Sequence, residues 1–286
     1  MSAHPHHGEK RRVGQVKEVT SLANPVVKEI RGLTLKKNRD ASGTFLAEGL
    51  KLVIDALDLG WTIRTLIYSK AGRGKSAVEA VAARTVAAGG LVLEASEKLV
   101  SAIARRDNPQ MVMGVFEQRF VRLESVRPKP DETWVALDRV RDPGNLGTII
   151  RTADAAGASG IILIGETTDP FSLETVRATM GSVFAVPIAR AGAEAFLAWR
   201  KTVDARLVGT HLEGATDYRK IDYRGRPVIL LMGNEQAGLP ENLAAACDEL
   251  ALIPQAGRAD SLNLAVATGV MIFEARRHLL KLGDEA

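Results

Sequence analysis

The stretch VILLMGNEQAGLPENL, residues 228–243, decides the fold and raises the functional question together. Its first five residues are all apolar, so they read as a strand covered on both faces, as in a parallel sheet. The run stops at Gly233-Asn234-Glu235, with a carboxylate where the chain turns. Glu235 could satisfy exposed amides at a helix start. Alternatively, the strand end opens its backbone to a ligand, because open parallel sheets place ligands beyond their carboxyl ends.

The same grammar extends outward from this stretch. TWVALDRV, GIILIG and LVGT read as further short strands, with helices predicted from about Asn145 to Ala156, around LETVRATM and after Ser261. LVGTHLEG, LLMGNEQAG and ALIPQAGRADSLN each pass from an apolar strand into a polar turn, which predicts three loops at one sheet edge enclosing a small ligand. Upstream, TFLAE, TIRTLIYS, LVLEAS and MVMGVFEQ alternate with helical segments, a second α/β layer arrangement. Asn24-Pro25 followed by Val26, Val27, Ile30 and Leu33 predicts a capped helix with proline at its first position. The segment VRLESVRPKPDET has the composition of a linker. The expected organisation is a basic tail over 1–17, an α/β domain over 18–118, a linker over 119–131 and a second α/β domain over 132–286.

Length and composition agree with two domains: 286 residues at 46% hydrophobic content can bury two ordinary cores. The longest apolar runs fall short of the roughly 18 to 20 residues that a membrane span needs. The N-terminus MSAHPHHGEKRRVGQ has no apolar signal region, so a disordered tail and a cytoplasmic location are expected. Cys247 is the single cysteine, which excludes an internal disulfide and leaves it as a small buried filler; no metal is expected. Charge is informative by position. Residues 1–40 hold nine Lys/Arg against four Asp/Glu, a balance of +5 within a whole-chain +4. That asymmetry suits a polyanionic partner, and Lys28, Arg31, Lys36, Lys37 and Arg39 are the candidate contacts; a merely solvated tail fits equally.

Two nucleotide motifs are excluded. Gly74-Lys75-Ser76 resembles the end of a phosphate-binding loop, but the glycine required five positions earlier is Ser69. No GxGxxG fingerprint follows a strand, which argues against a nicotinamide dehydrogenase. In RDPGNLGTIIRTADAAGASG, residues 141–160, Asn145 reads as a helix cap and Arg151 lies six residues later.

Jointly, NLGTIIRTADAAG, MGNEQAGLP and LIPQAGRADSLNLAVATG resemble the three motifs of the SpoU (TrmH) family of RNA ribose 2′-O-methyltransferases in the SPOUT superfamily, over roughly residues 133–280. Residues 18–118 resemble the substrate-binding domain that accompanies ribosomal RNA modifying members. The resemblance implies a C-terminal trefoil-knotted α/β domain that binds S-adenosylmethionine, a smaller ribosomal-protein-like RNA-binding domain and a homodimer. By motif position, Gly233, Ile253 and Leu262 contact the cofactor through their main chains, and Thr210, Asn234, Glu235 and Gly238 line its loops. Asn145, Arg151, Glu235, Ser261 and Asn263 form the polar reaction centre. Gln255-Ala256 departs from relatives that often carry Met after Ile-Pro. The family proposal makes Arg151 the general base. A guanidinium stays protonated in proteins, so our reading gives Arg151 the grip on a phosphate, Asn145 the sugar, and Glu235 the loops or the proton through a water. The expected substrate is large-subunit ribosomal RNA, with transfer RNA as the alternative and a non-catalytic RNA-binding or assembly protein as the competing class.

Overall fold

A computed structural model describes residues 14–212, 216–259 and 261–281. Most of the expected N-terminal tail, and parts of the loops after Leu212 and Ala259, lie outside the described residues. The chain forms two compact units divided between Gln118 and Arg119.

The first unit contains β1 (Gln15–Val19), α1 (Pro25–Gly32), α2 (Lys36–Ser42), β2 (Thr44–Glu48), α3 (Leu50–Asp58), β3 (Ile63–Ser69), α4 (Ser76–Ala87), β4 (Leu91–Ala95), α5 (Glu97–Ala104) and β5 (Val112–Glu117). Its five strands are ordered β1-β4-β3-β5-β2. β1, β4 and β3 run parallel, and β5 is antiparallel to both neighbours. α1 starts as its sequence dictates. Asn24 Oδ1 accepts from Val26 N at 2.9 Å, Pro25 occupies the first turn, and Val27 and Ile30 are buried.

β1 corrects the expected tail, because residues 15–17 are strand. Four of its five residues are exposed, so this edge strand carries no apolar alternation to announce it. Arg39 corrects the candidate RNA contacts. It is 3% exposed, and its Nη1 donates to the Leu33 carbonyl at 2.7 Å, closing the turn between α1 and α2. Lys28, Arg31, Lys36 and Lys37 remain on the surface, with Lys36 paired to Asp40 at 2.7 Å. Arg39→Ala should therefore cost about 1.5–3 kcal/mol of unfolding free energy, the range for a charged hydrogen bond. Lys37→Ala should cost almost nothing; equal denaturation midpoints for the two variants would contradict this assignment.

The second unit contains β6 (Thr133–Asp138), α6 (Pro143–Ala155), β7 (Gly160–Ile164), α7 (Leu173–Thr179), β8 (Ile188–Ala191), α8 (Ala193–Arg200), β9 (Arg206–Thr210), β10 (Thr216–Asp217), β11 (Val228–Met232), α9 (Glu241–Ala244), β12 (Glu249–Leu252) and α10 (Leu264–Arg276). The sheet order is β10-β12-β9-β11-β6-β7-β8, and every pairing is parallel. β6, β7 and β11 are buried at every position, the burial expected of parallel strands covered on both faces. VILLM thus lies mid-sheet, between β9 and β6.

The expected linker corrects to part of this unit. Val121 bridges Ala189 on β8, Leu123 and Val126 join the core, and the Val126 carbonyl accepts from Trp199 Nε1 at 3.2 Å. Its prolines and charges resemble a linker in composition, but its apolar residues point inward. α6 packs closely on α7 because residue 147 is glycine: a Cβ there would lie 2.4 Å from that of Ala178. This close approach fixes the helix that carries Asn145 and Arg151.

Candidate active site

Three adjacent strands, β12, β9 and β11, end side by side, and the turns that leave them enclose a cleft of about 340 Å³. Thr210 comes from the end of β9, and Gly233, Asn234, Glu235 and Gly238 from the turn after β11. Ile253, Ser261 and Leu262 come from the segment between β12 and α10. Met232 and Leu264 add apolar wall, and Gln255 also reaches the lining.

Local hydrogen bonding explains why the apolar run stops at Gly233. The chain doubles back: Asn234 N donates to Gly238 O at 3.1 Å, and Gly238 N donates to Asn234 O at 3.0 Å. Gly238 closes this ring at φ 64°, where a side chain is strained. A Cβ on Gly233 would lie 2.4 Å from the Gly238 carbonyl carbon, so only glycine lets the two arms of the turn meet. The Asn234 side chain braces the ring from inside, its Oδ1 accepting from Gln236 N at 3.0 Å and Ala237 N at 3.1 Å.

Asn234 also ties this turn to the one before α6. Its Nδ2 donates to the Arg139 carbonyl at 2.8 Å. Arg139 takes the left-handed conformation, φ 47°, and its guanidinium folds back on the buried Asp138 carboxylate at 2.8 Å. The Glu235 carboxylate then receives three donors across the junction, each at 3.4 Å: Arg141 N, Asp142 N and Asn145 Nδ2. It meets exposed amides near a helix start, and it also borders the cleft.

Asn145 is not the cap expected from sequence. Asp142 caps α6, its carboxylate accepting from Asn145 N at 2.6 Å, with Pro143 opening the helix. The Asp-Pro pair is the readable signal for this cap. Freed from capping, the Asn145 side chain spans two loops: Nδ2 donates to Glu235, and Oδ1 accepts from Asn263 Nδ2 at 3.0 Å. Asn263 in turn caps α10, accepting from Ala265 N at 2.9 Å and Val266 N at 3.3 Å. The result is a relay from Asn263 through Asn145 to Glu235, with each member held by its own backbone anchor.

Arg151 stands apart from that relay. It is exposed on α6, about 9 Å along the helix axis from Asn145 at 1.5 Å per residue, and forms no ion pair among the described residues. Behind the cleft, Cys247 packs against Gly209, and its thiol donates to Leu243 O at 3.3 Å. Burial, followed by the Asp248 charge, pushes that thiol up to about 12, so it is neutral filler. Among the described residues no cluster of His, Cys, Asp or Glu could hold a metal ion, and no helix is long and apolar enough to cross a membrane.

A parallel α/β unit whose strand ends enclose a small-molecule cleft beside an amide–carboxylate relay defines a class: an enzyme that brings a compact ligand to a polar reaction centre. Residues 132–273 match the SpoU rRNA Methylase family, and residues 24–114 match an MRM3-like substrate binding domain. An AdoMet-bound rRNA methyltransferase from Sinorhizobium meliloti is similar in structure, with a TM-score of 0.89 at 70% identity, over 93% of this chain and 99% of that one. The 23S rRNA (guanosine(2553)-2'-O)-methyltransferase RlmP of Bacillus subtilis is 32% identical over 91% of this chain and 100% of its own length. The SpoU methyltransferase AviRb of Streptomyces viridochromogenes, in complex with AdoMet, gives a TM-score of 0.80 at 31% identity, over 90% of this chain and 98% of that one. The chain belongs to the SpoU rRNA methylase family.

Proposed function

We propose that the protein is a ribosomal RNA ribose 2′-O-methyltransferase that uses S-adenosylmethionine. The observation that carries this reading is the meeting of Asn145 from the first turn of α6, Glu235 from the turn after β11 and Asn263 from the start of α10, beside the cleft that Glu235 lines. The cleft suits this cofactor in its chemistry. Peptide groups of a glycine-tightened turn and the aliphatic walls of Ile253, Leu262 and Leu264 surround it, and among the described residues Glu235 is the single carboxylate lining it. When bound, S-adenosylmethionine supplies an electrophilic methyl group on a sulfonium, so no metal is required.

The residues of the chain supply position and a path for the proton. Asn145, fixed at both ends of its amide, orients the ribose. Arg151, whose guanidinium stays charged, grips a phosphate next to the target sugar. Glu235, an acceptor at the head of the relay, receives the 2′-hydroxyl proton through a water. Holding the nucleophile in near-attack geometry contributes several kcal/mol to such a transfer. The exposed cations Lys28, Arg31, Lys36 and Lys37 give the first unit its own hold on RNA.

Three finer points belong to the same reading: a trefoil knot threading the turns around the cleft, a cytoplasmic protein, and a homodimer. The exposed Val266 and Phe273 on α10 support a covering second copy, and a monomer mass by sedimentation would remove the dimer from the proposal. Incubation with methyl-labelled cofactor and unmodified ribosomal or transfer RNA tests the function. Label is expected on a ribose of large-subunit RNA. Label confined to transfer RNA would favour the alternative substrate. No label together with no calorimetric binding of S-adenosylmethionine would leave an RNA-binding protein.

A further inference from the structure

Many arginines of the second unit are engaged by carboxylates or backbone carbonyls, and several are not. Arg139, Arg200, Arg206 and Arg226 are ion-paired at 2.6 to 2.8 Å, the ordinary fate of a guanidinium on a folded surface. Arg141, Arg151 and Arg258 are exposed, and none makes an ion pair or a side-chain hydrogen bond among the described residues. These three belong to the loops and helix that build the relay. Arg141 lies in the turn whose amides hold Glu235, and Arg151 is on the helix that carries Asn145. Arg258 is in the segment between β12 and α10 that ends in Ser261 and Asn263.

Unpaired guanidiniums held on braced backbone are sites for anions, because the planar fork matches a phosphate and nothing on the protein competes for it. The backbone at Arg141 is braced by the Glu235 carboxylate, and the segment carrying Arg258 is tied to α6 by the Asn263–Asn145 hydrogen bond. We infer that Arg141 and Arg258 are RNA-binding residues which, with Arg151, grip backbone phosphates on both sides of the target nucleotide. The inference rests on the proposed function and adds to it. Arg141 lies just before the first motif and Arg258 within the third, and the arrangement means that the strand is held at the reaction centre as well as by the first unit. It also assigns the binding to backbone and not to base, so it is independent of sequence at those positions.

The test is the salt dependence of binding to an unmodified in vitro transcript of bacterial 23S ribosomal RNA. Each phosphate contact removed lowers the slope of log K against log salt by about 0.7 on a single strand. Arg141→Gln and Arg258→Gln are each expected to show that decrease and to weaken RNA binding roughly tenfold, as for loss of one charge-assisted hydrogen bond. S-adenosylmethionine affinity by calorimetry should match the parent, which also confirms that the variants fold. Arg122→Gln removes the same charge next to Val121, which bridges to β8 at the far edge of the sheet, and should leave the slope unchanged. If the parent binds and methylates the transcript while both variants keep the parental slope, or if Arg122→Gln changes it equally, this inference is overturned and the functional reading survives. If the parent neither binds nor methylates it, the functional reading fails and takes the inference with it.

Discussion

Arg151→Lys is expected to lower kcat on ribosomal RNA about a hundredfold, in line with the loss of one transition-state donor, while calorimetric affinity for S-adenosylmethionine stays at the parental value. The substitution keeps the positive charge and removes the planar fork. If Arg151 serves as a bidentate clamp, a point charge on a flexible stem leaves the ribose mispositioned, and salt sensitivity increases because only the screened Coulomb attraction remains. If Arg151 instead gives up a proton during the reaction, lysine loses one far more readily than arginine does. In that case Lys should support turnover, most clearly at high pH. Near-parental kcat in Arg151→Lys would therefore exclude the clamp. Exposure of Arg151, with no carboxylate bonded to it among the described residues, is what leaves its fork available for RNA.

Glu235→Gln should reduce kcat by 10²-fold or more, the lower range for removing a group that transfers a proton. The two side chains are nearly isosteric, so the turn around Gly233 and Gly238 keeps its backbone ring. Chemistry at the junction changes, however. The parental carboxylate accepts from Arg141 N, Asp142 N and Asn145 Nδ2; an amide has one acceptor oxygen and directs an NH₂ toward at least one of those donors. Measuring cofactor affinity separates the two contributions. Unchanged affinity with a large fall in kcat assigns Glu235 to the proton path. A proportional loss of both makes it an organiser of the loops alone. Parental turnover would show that neither role exists.

Much of the architecture was legible in the residues because burial leaves a local pattern. VILLM, GIILIG and WVAL are apolar at successive positions, and a strand covered on both faces requires that of each residue independently. Asn24-Pro25 announced α1 because a cap and a fixed φ act within one turn. Elements with weak local patterns were missed. β1 is a polar edge strand, and the supposed linker hides Leu123 and Val126 among prolines and charges. Composition also misread Arg39: a basic residue in a basic stretch looks like an RNA contact until its guanidinium is found on the Leu33 carbonyl.

For the candidate site, the sequence by itself determined the turns and their residue types: strands that stop at Gly-Asn-Glu and Ile-Pro, and glycines where the chain must fold tightly. It could not determine which side chains meet. Asn145 and Glu235 are 90 residues apart, and Asn263 and Asn145 are 118 apart. Tertiary structure alone decided that the Asn145 side chain bonds to two distant segments and that the three turns share one cleft. The physical reason is the range of the forces. Burial and capping act within a few residues and are written in local sequence, whereas the relay exists only after the parallel sheet has set β12, β9 and β11 side by side.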